Sequence, residues 1–193
     1  MIADKLNPEY RFTSLLSISP EWMRRKGYGA LLTDIDNTLL PRNSSVVPRE
    51  QIDWLKLMQR QGILIVLSSN NGGKRVGKIR AQLKDNEIDI PILEWAGKPL
   101  PRAYSRAIKM LEKNRPLNML PSVLAAGDQL FTDVLGAHMS GLPAVWLRPL
   151  SHSDFIGTKF LRLLEKAAAF YLQRSGRLPE ENIIENFNSE SRI

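Results

Sequence analysis

This chain of 193 residues has no cysteine. The absence excludes disulfides, thiolate metal sites and every mechanism that needs a cysteine nucleophile. Histidine is nearly absent too: His138 and His152 are the only two, and neither has a partner at metal-ligand spacing. His138 falls on a predicted helix and reads as structural or exposed rather than catalytic. No apolar run approaches the roughly 18 residues a transmembrane helix needs. The start, Met1-Ile2-Ala3-Asp4-Lys5, lacks the basic-then-apolar layout of a secretory signal, so a cytoplasmic location is expected. The Gly-x-x-x-x-Gly-Lys-Ser/Thr loop that cradles nucleoside triphosphates is also missing; Gly72-Gly73-Lys74 more simply opens a helix. Internal repeats, glycine-rich linkers and low-complexity segments are absent.

What is present is a chain that is 43% hydrophobic, enough for one substantial core and too short for a second large domain. The 27 Lys and Arg residues outweigh 20 Asp and Glu, a formal net charge of +7. Such a surface favours anionic partners, whether phosphorylated metabolites, nucleic acid or an anionic membrane leaflet, without choosing among them.

Apolar runs of strand length alternate with amphipathic helical stretches, which predicts an α/β fold with a mostly parallel, five-stranded sheet flanked by helices. Strands are expected at 30–34, 63–68, 90–95, 123–126 and 144–147, and their continuous apolar character implies burial on both faces. A first helix begins near Pro48, carries Ile52, Leu55 and Met58 at helical spacing, and ends at Gly62. Further helices are expected at 73–83, 101–113 and 132–139. A last one, at 154–173, carries the stripe Ile156, Phe160, Leu163, Leu164, Ala167, Ala168 and Tyr171 beside Lys159, Arg162 and Lys166. The organisation read from this is an N-terminal extension (1–29) packed on a core (30–150), an amphipathic helix (151–177) and a loose polar tail (178–193).

Chemistry concentrates where strands end. In an open α/β sheet, ligands bind outside the carboxyl ends of the strands. Asp34 and Asp36 follow the first predicted strand, Ser68, Ser69 and Asn70 the second, Lys98 the third, and Gly127, Asp128 and then Asp133 the fourth. Two carboxylates delivered into one crevice are a costly concentration of charge unless a cation neutralises them. Carboxylates, a hydroxyl, an amide and one lysine supply an Mg²⁺ site, hydrogen-bond donors and a fixed positive charge, the set that phosphate chemistry needs. Taken singly, each residue has an ordinary reading as a turn, cap or solvated side chain; joint occurrence at successive strand ends is what counts.

Asp34-Ile-Asp-Asn-Thr38 resembles the first motif of the haloacid-dehalogenase-like (HAD) superfamily. Ile65-Val-Leu-Ser-Ser-Asn70 resembles the second, Gly97-Lys98-Pro99 the third and Gly127-Asp128-Gln-Leu-Phe-Thr-Asp133 the acidic fourth. All four in order, over 30–147, resemble most the YqeG family of small subclass IIIA phosphatases, whose relatives include phosphatidylglycerophosphate phosphatases. The resemblance implies a Rossmann-like fold and an Mg²⁺-dependent phosphomonoesterase. By the same resemblance Asp34 is the nucleophile and Asp36 the general acid/base. Thr38 orients the loop and, with Ser69, Asn70 and Lys98, binds the phosphoryl group. The metal set is Asp34, the Asp36 carbonyl, Asp128 and, through water, Asp133. Ser68 competes with Ser69 for the second motif.

About 30 residues separate Asp36 from Ser69 and a similar number separate Ser69 from Lys98, and secondary structure uses nearly all of them, so no large cap domain fits. An open site suits a phosphate presented on something large. Phosphatidylglycerophosphate at an anionic bilayer surface is the leading expectation, with the chain peripheral to the membrane and its last helix lying in the interface or packed on the sheet. Nucleic-acid ends, phosphoproteins and small phosphorylated metabolites are the alternatives. A receiver-type phosphoacceptor domain fits less well, because its phosphorylated aspartate follows the third strand, where this chain has none. A purely binding, basic module would leave the acidic cluster unexplained.

Overall fold

The computed structural model describes residues 2–113, 121–151 and 159–182. Its seven strands form one sheet of order β4-β3-β2-β5-β6-β1-β7. They are β1 (Tyr10–Phe12), β2 (Tyr28–Asp34), β3 (Leu64–Ser68), β4 (Ile92–Leu93), β5 (Ser122–Gly127), β6 (Ala144–Leu147) and β7 (Glu181–Asn182), and every pairing is parallel. All five strands expected from the apolar runs are here. Two more come from segments expected to be an extension and a loose tail. β1 pairs with β6 through Tyr10–Val145 and Phe12–Leu147, and β7 adds to the outer side of β1. Three- and two-residue strands carry too little alternation to stand out in a sequence. β4 is likewise shorter than its apolar run, since an edge strand has only one neighbour to pair with.

The connections build the two outer layers. Helix α2 (Arg49–Arg60), its inner side formed by Ile52, Trp54, Leu55 and Met58, and α3 (Lys74–Asp85), with Val76, Ile79 and Leu83, cover one face. Phe12, Leu15, Ile18, Trp22 and Met23 join that cluster, the last two from α1 (Pro20–Arg25). Trp54 is fully buried and donates from Nε1 to the Ile18 carbonyl at 2.9 Å, so the N-terminal segment is bonded into the core. On the other face lie α4 (Pro101–Glu112), α5 (Leu135–Met139) and α6 (Lys159–Arg174), where Tyr104, Ala107, Ala137 and Leu172 pack on β2, β3 and β5.

The chain leaves β2 toward β3 and β4, then returns to β2's other side for β5 and β6. That reversal puts a crevice at the carboxyl ends of β2 and β5. Between β5 and α5 the backbone forms a π-helical turn, Leu130–Val134, where an ordinary helix was expected to begin.

Candidate active site

β2 lies between β3 and β5, which is why Ala30, Leu31 and Leu32 are apolar and buried on both faces. The strand ends at Asp34, opposite Ser68, and the chain then folds tightly on itself. Leu39 and Leu40 donate their amides to the Ile35 carbonyl, and Asn37 donates to Leu40. Asn37 takes a left-handed φ of 63°, a conformation asparagine tolerates better than most residues. Its side-chain oxygen accepts from the Arg42 amide at 3.1 Å and from Ser151 Oγ at 2.7 Å. Thr38 is buried within this loop, its hydroxyl without a hydrogen-bond partner among the described residues.

Lys98 is the hub. Its Nζ donates to Asp34 Oδ1 at 2.5 Å and to Asp133 Oδ1 at 2.7 Å, and all three side chains are buried. The geometry depends on two supports. Asn70 accepts from the amides of Gly97 and Lys98 at 3.0 and 2.8 Å and donates to the Lys98 carbonyl at 3.0 Å, so it clamps the loop that carries the lysine. In this arrangement the Asn70 amide is used to hold the loop backbone. Asp133 is seated beside Gly127, where a Cβ would collide with its carboxyl group, and its Oδ2 accepts from the Gln129 amide at 3.1 Å.

Asp36 is held from the other side. Ser69 Oγ donates to Asp36 Oδ2 at 2.6 Å while accepting from the Asn71 amide at 2.9 Å, and Asn71 Nδ2 donates to the same carboxylate oxygen at 3.1 Å. Ser68 Oγ points instead to the Thr33 carbonyl, 3.5 Å away, so Ser69 is the second-motif hydroxyl that reaches the acidic pair. Arg75 Nη1 lies 2.8 Å from Asp36 Oδ1, a charge contact rather than an aligned hydrogen bond, and its Nε donates to the Ser44 carbonyl.

Oxygens of Asp34, Asp128 and Asp133 lie within 4.8 Å of one another. Asp128 Oδ1 is buried with no hydrogen-bond partner among the described residues. An all-oxygen donor set with an orphaned buried carboxylate oxygen fits a hard divalent cation. Electrostatics agree. Burial, then Asp133 and Asp36, push Asp34 up to about 7, against the opposing pull of Lys98. Burial, then Asp34 and Asp133, raise Asp128 as well, with Arg42 and Lys98 opposing. Burial alone would lower Lys98, but Asp133 and Asp34 together outweigh it and hold it charged. Lys98 is thus a firm cation among carboxylates that crowd one another, a cluster that a second positive charge would relieve.

Several contributors escaped the sequence reading. Asn71 was one; Arg75 was another and had one available signal, since Lys74 and Arg75 open α3, whose first turn has no acidic residue, contrary to the helix dipole. Tyr104 donates to the carbonyls of Thr132 and Asp133 at 3.0 and 2.9 Å, fixing the π turn. Glu165, on α6, accepts from the Leu130 and Phe131 amides, both at 2.8 Å, and burial raises its carboxyl to about 7. No local pattern announces either contact. His138, by contrast, lies away from the site as expected, bonded to Glu9 and the Lys5 carbonyl. His152 lies outside the described residues.

A family model described as mitochondrial PGP phosphatase matches residues 4–150. The chain belongs to this family. It is therefore a phosphatase. It is 29% identical over 174 residues to the probable phosphatase YqeG of Bacillus subtilis, covering 90% of this chain and 95% of that one. It is also 29% identical over 125 residues to the mitochondrial phosphatidylglycerophosphatase GEP4 of Saccharomyces cerevisiae, covering 62% of this chain and 66% of that one. Among solved structures, a mutant of the thermostable p-nitrophenylphosphatase of Bacillus stearothermophilus aligns over 80% of this chain and 71% of its own at 15% identity, with a TM-score of 0.24. The match to the PGP phosphatase family begins at residue 4, so it takes in β1 and α1 as well as the four motifs.

Proposed function

We propose that this PGP phosphatase family member is an Mg²⁺-dependent phosphomonoesterase that works through an aspartyl phosphate on Asp34, with phosphatidylglycerophosphate as its substrate. The observation that carries the proposal is the arrangement of Asp34 between a buried lysine and two further carboxylates, with Asp36 held separately by Ser69.

In the first half-reaction an Asp34 oxygen bonds to phosphorus as the bond to the leaving oxygen breaks, and Asp36 gives its proton to the departing alcohol. In the second, Asp36 takes a proton from water as that water attacks phosphorus, and Asp34 leaves as a free carboxylate. Lys98 offsets charge on Asp34 and the transferring group throughout. The Ser69 hydroxyl keeps Asp36 in position in the resting site and is the hydroxyl we assign as donor to the phosphoryl group. An Mg²⁺ ion would be held by the Asp34 and Asp128 carboxylates and the Asp36 carbonyl, with Asp133 acting through a water, and would supply charge neutralisation at the phosphoryl oxygens. Asp133 suits that indirect part because both of its oxygens already accept hydrogen bonds.

The lipid substrate is supported by the family, by the relative named for phosphatidylglycerophosphate and by the basic charge of the chain. Among the described residues no helix is long and apolar enough to cross a membrane. A cytoplasmic protein peripheral to the bilayer is the arrangement we propose. Phosphate release from phosphatidylglycerophosphate, 3′-phosphorylated DNA, nucleotides and sugar phosphates, each with Mg²⁺ and with EDTA, tests it. The lipid should be preferred and EDTA should abolish turnover reversibly. Preference for DNA ends or small metabolites would remove the lipid assignment and leave the phosphatase.

A further inference from the structure

Three exposed apolar side chains lie near the site, each tied to it through a backbone hydrogen bond or by closeness along the chain. Trp95 is 65% exposed, and its amide donates to the carbonyl of Asn71, the residue whose side chain holds Asp36. Leu100, 62% exposed, follows Lys98 by two residues. Leu150 is 40% exposed and donates its amide to the carbonyl of Asn37, next to Asp36.

Trp95 is the most unusual of the three. Its φ of 49° lies in the left-handed region, where a bulky aromatic residue is a true outlier. The surroundings are built to keep it there. Its indole lies so close to Gly72 that a Cβ at that glycine would sit 2.5 Å from Nε1, and Arg106 donates to the Trp95 carbonyl. A left-handed backbone thus holds a large, mostly exposed apolar ring beside the crevice.

The unpaired charge around these side chains is positive. Lys74 and Arg102, at the starts of α3 and α4, are exposed with no carboxylate partner among the described residues, whereas Arg148, two residues before Leu150, is paired with Glu181 at 2.7 Å. The nearby Glu94 is already paired with Arg80 at 2.6 Å. Separate apolar side chains interleaved with cations are the composition of a surface that enters the headgroup region of an anionic bilayer, where tryptophan is favoured. A nucleic-acid surface would have no use for Leu100 and Leu150.

We infer that the rim formed by Trp95, Leu100 and Leu150, with Lys74 and Arg102, docks the mouth of the site onto an anionic lipid surface. This rests on the lipid reading above and assigns it to a surface different from the one the sequence suggested. In α6 the side turned to the core is Glu165, Ala168, Ala169 and Leu172, while Leu164, Ala167 and Tyr171 of the expected stripe, with Phe170, face outward. α6 is therefore the competing docking face.

The test uses the full chain and vesicles of phosphatidylglycerol and phosphatidylcholine carrying brominated acyl chains, with pure phosphatidylcholine vesicles as control. Wild type is expected to sediment with the anionic vesicles and show quenched tryptophan emission; Trp22 and Trp54 are buried, and Trp146, half-buried with its Nε1 bonded to the Asp128 carbonyl, is replaced by Phe in every protein compared so that Trp95 is the reporter. Trp95→Asn, which suits a left-handed backbone, should lose the quenching. Leu100→Ser combined with Leu150→Ser should weaken partitioning by about tenfold, whereas Phe170→Ser with Tyr171→Ser should not. Thermal unfolding reports whether each variant is folded. Absence of vesicle binding by wild type, undiminished binding by the rim variants, or loss confined to the α6 variants would each overturn the inference. Para-nitrophenyl phosphate turnover in solution separates the two readings. Hydrolysis without vesicle binding defeats the docking surface alone, and rim-dependent binding without hydrolysis defeats the activity alone.

Discussion

Asp36 is gripped by three side chains, and each grip has a separate consequence. Ser69 and Asn71 fix one oxygen, and Arg75 faces the other. If Asp36 is the acid/base, Asp36→Asn should slow turnover by about 10²- to 10⁴-fold and let a phosphoenzyme accumulate, because the amide neither protonates the leaving alcohol nor activates water. Rapid quench after mixing with substrate would reveal the trapped species; free turnover with no slowing would reject the role. Ser69→Ala removes both the Asp36 contact and a donor to the phosphoryl group, and a loss in kcat of about 10²-fold is expected from steady-state kinetics. Asp36 and Ser69 were legible beforehand because each follows an apolar strand, and the sheet brings strand ends together. Asn70 was legible as a residue of the site, but its clamp on the Gly97-Lys98 loop was not. A side-chain amide serves phosphate or backbone equally well, and only the fold of the Gly97-Lys98 loop decides which.

At the scale of elements, the site depends on a contact between segments 35 residues apart. The π turn after β5 carries Asp133, and Glu165 of α6 satisfies two of its amides. Glu165→Ala strands both donors, costing about 2 kcal/mol or more and lowering Tm by about 4–8 °C. It should also weaken Mg²⁺ activation, read as the metal concentration for half-maximal rate. Glu165→Gln keeps one acceptor and should lose less of both; equal losses would contradict the two-bond latch. The helix itself was visible from its period, but its orientation was not. Ala168 and Ala169 let the backbone approach the sheet and place Glu165 at the turn, so larger apolar residues were left outward. Ranking faces by hydrophobicity alone missed this, as it missed β1 and β7, whose two or three residues are specified by the partner strand rather than by local pattern.

Across the whole molecule, a basic chain buries a carboxylate cluster at its centre. Asp34, pushed up to about 7 by burial and its neighbours, binds protons more tightly folded than unfolded. The folded state therefore gains stability below the ordinary carboxylate range and loses it as pH rises through about 7, and the raised Asp128 adds in the same direction. A divalent cation reverses the penalty by binding the ionised cluster. The increase in Tm on adding Mg²⁺ should thus be larger at pH 8 than at pH 5, where protons compete for the same oxygens; an equal increase at both would contradict a carboxylate-held ion. The reversal of strand order at β2 and β5, which creates this cluster, could be anticipated from the alternation of strands and helices, since parallel strands need helical crossovers.

The most direct measurement of the central claim is made on Asp34 itself. Asp36→Asn protein, quenched in acid after brief exposure to phosphatidylglycerophosphate and Mg²⁺, should carry one phosphoryl group on the peptide containing Asp34, and Asp34→Asn should carry none and release phosphate only at the background rate. Phosphate on another residue, or full turnover by Asp34→Asn, would contradict the aspartyl-phosphate mechanism.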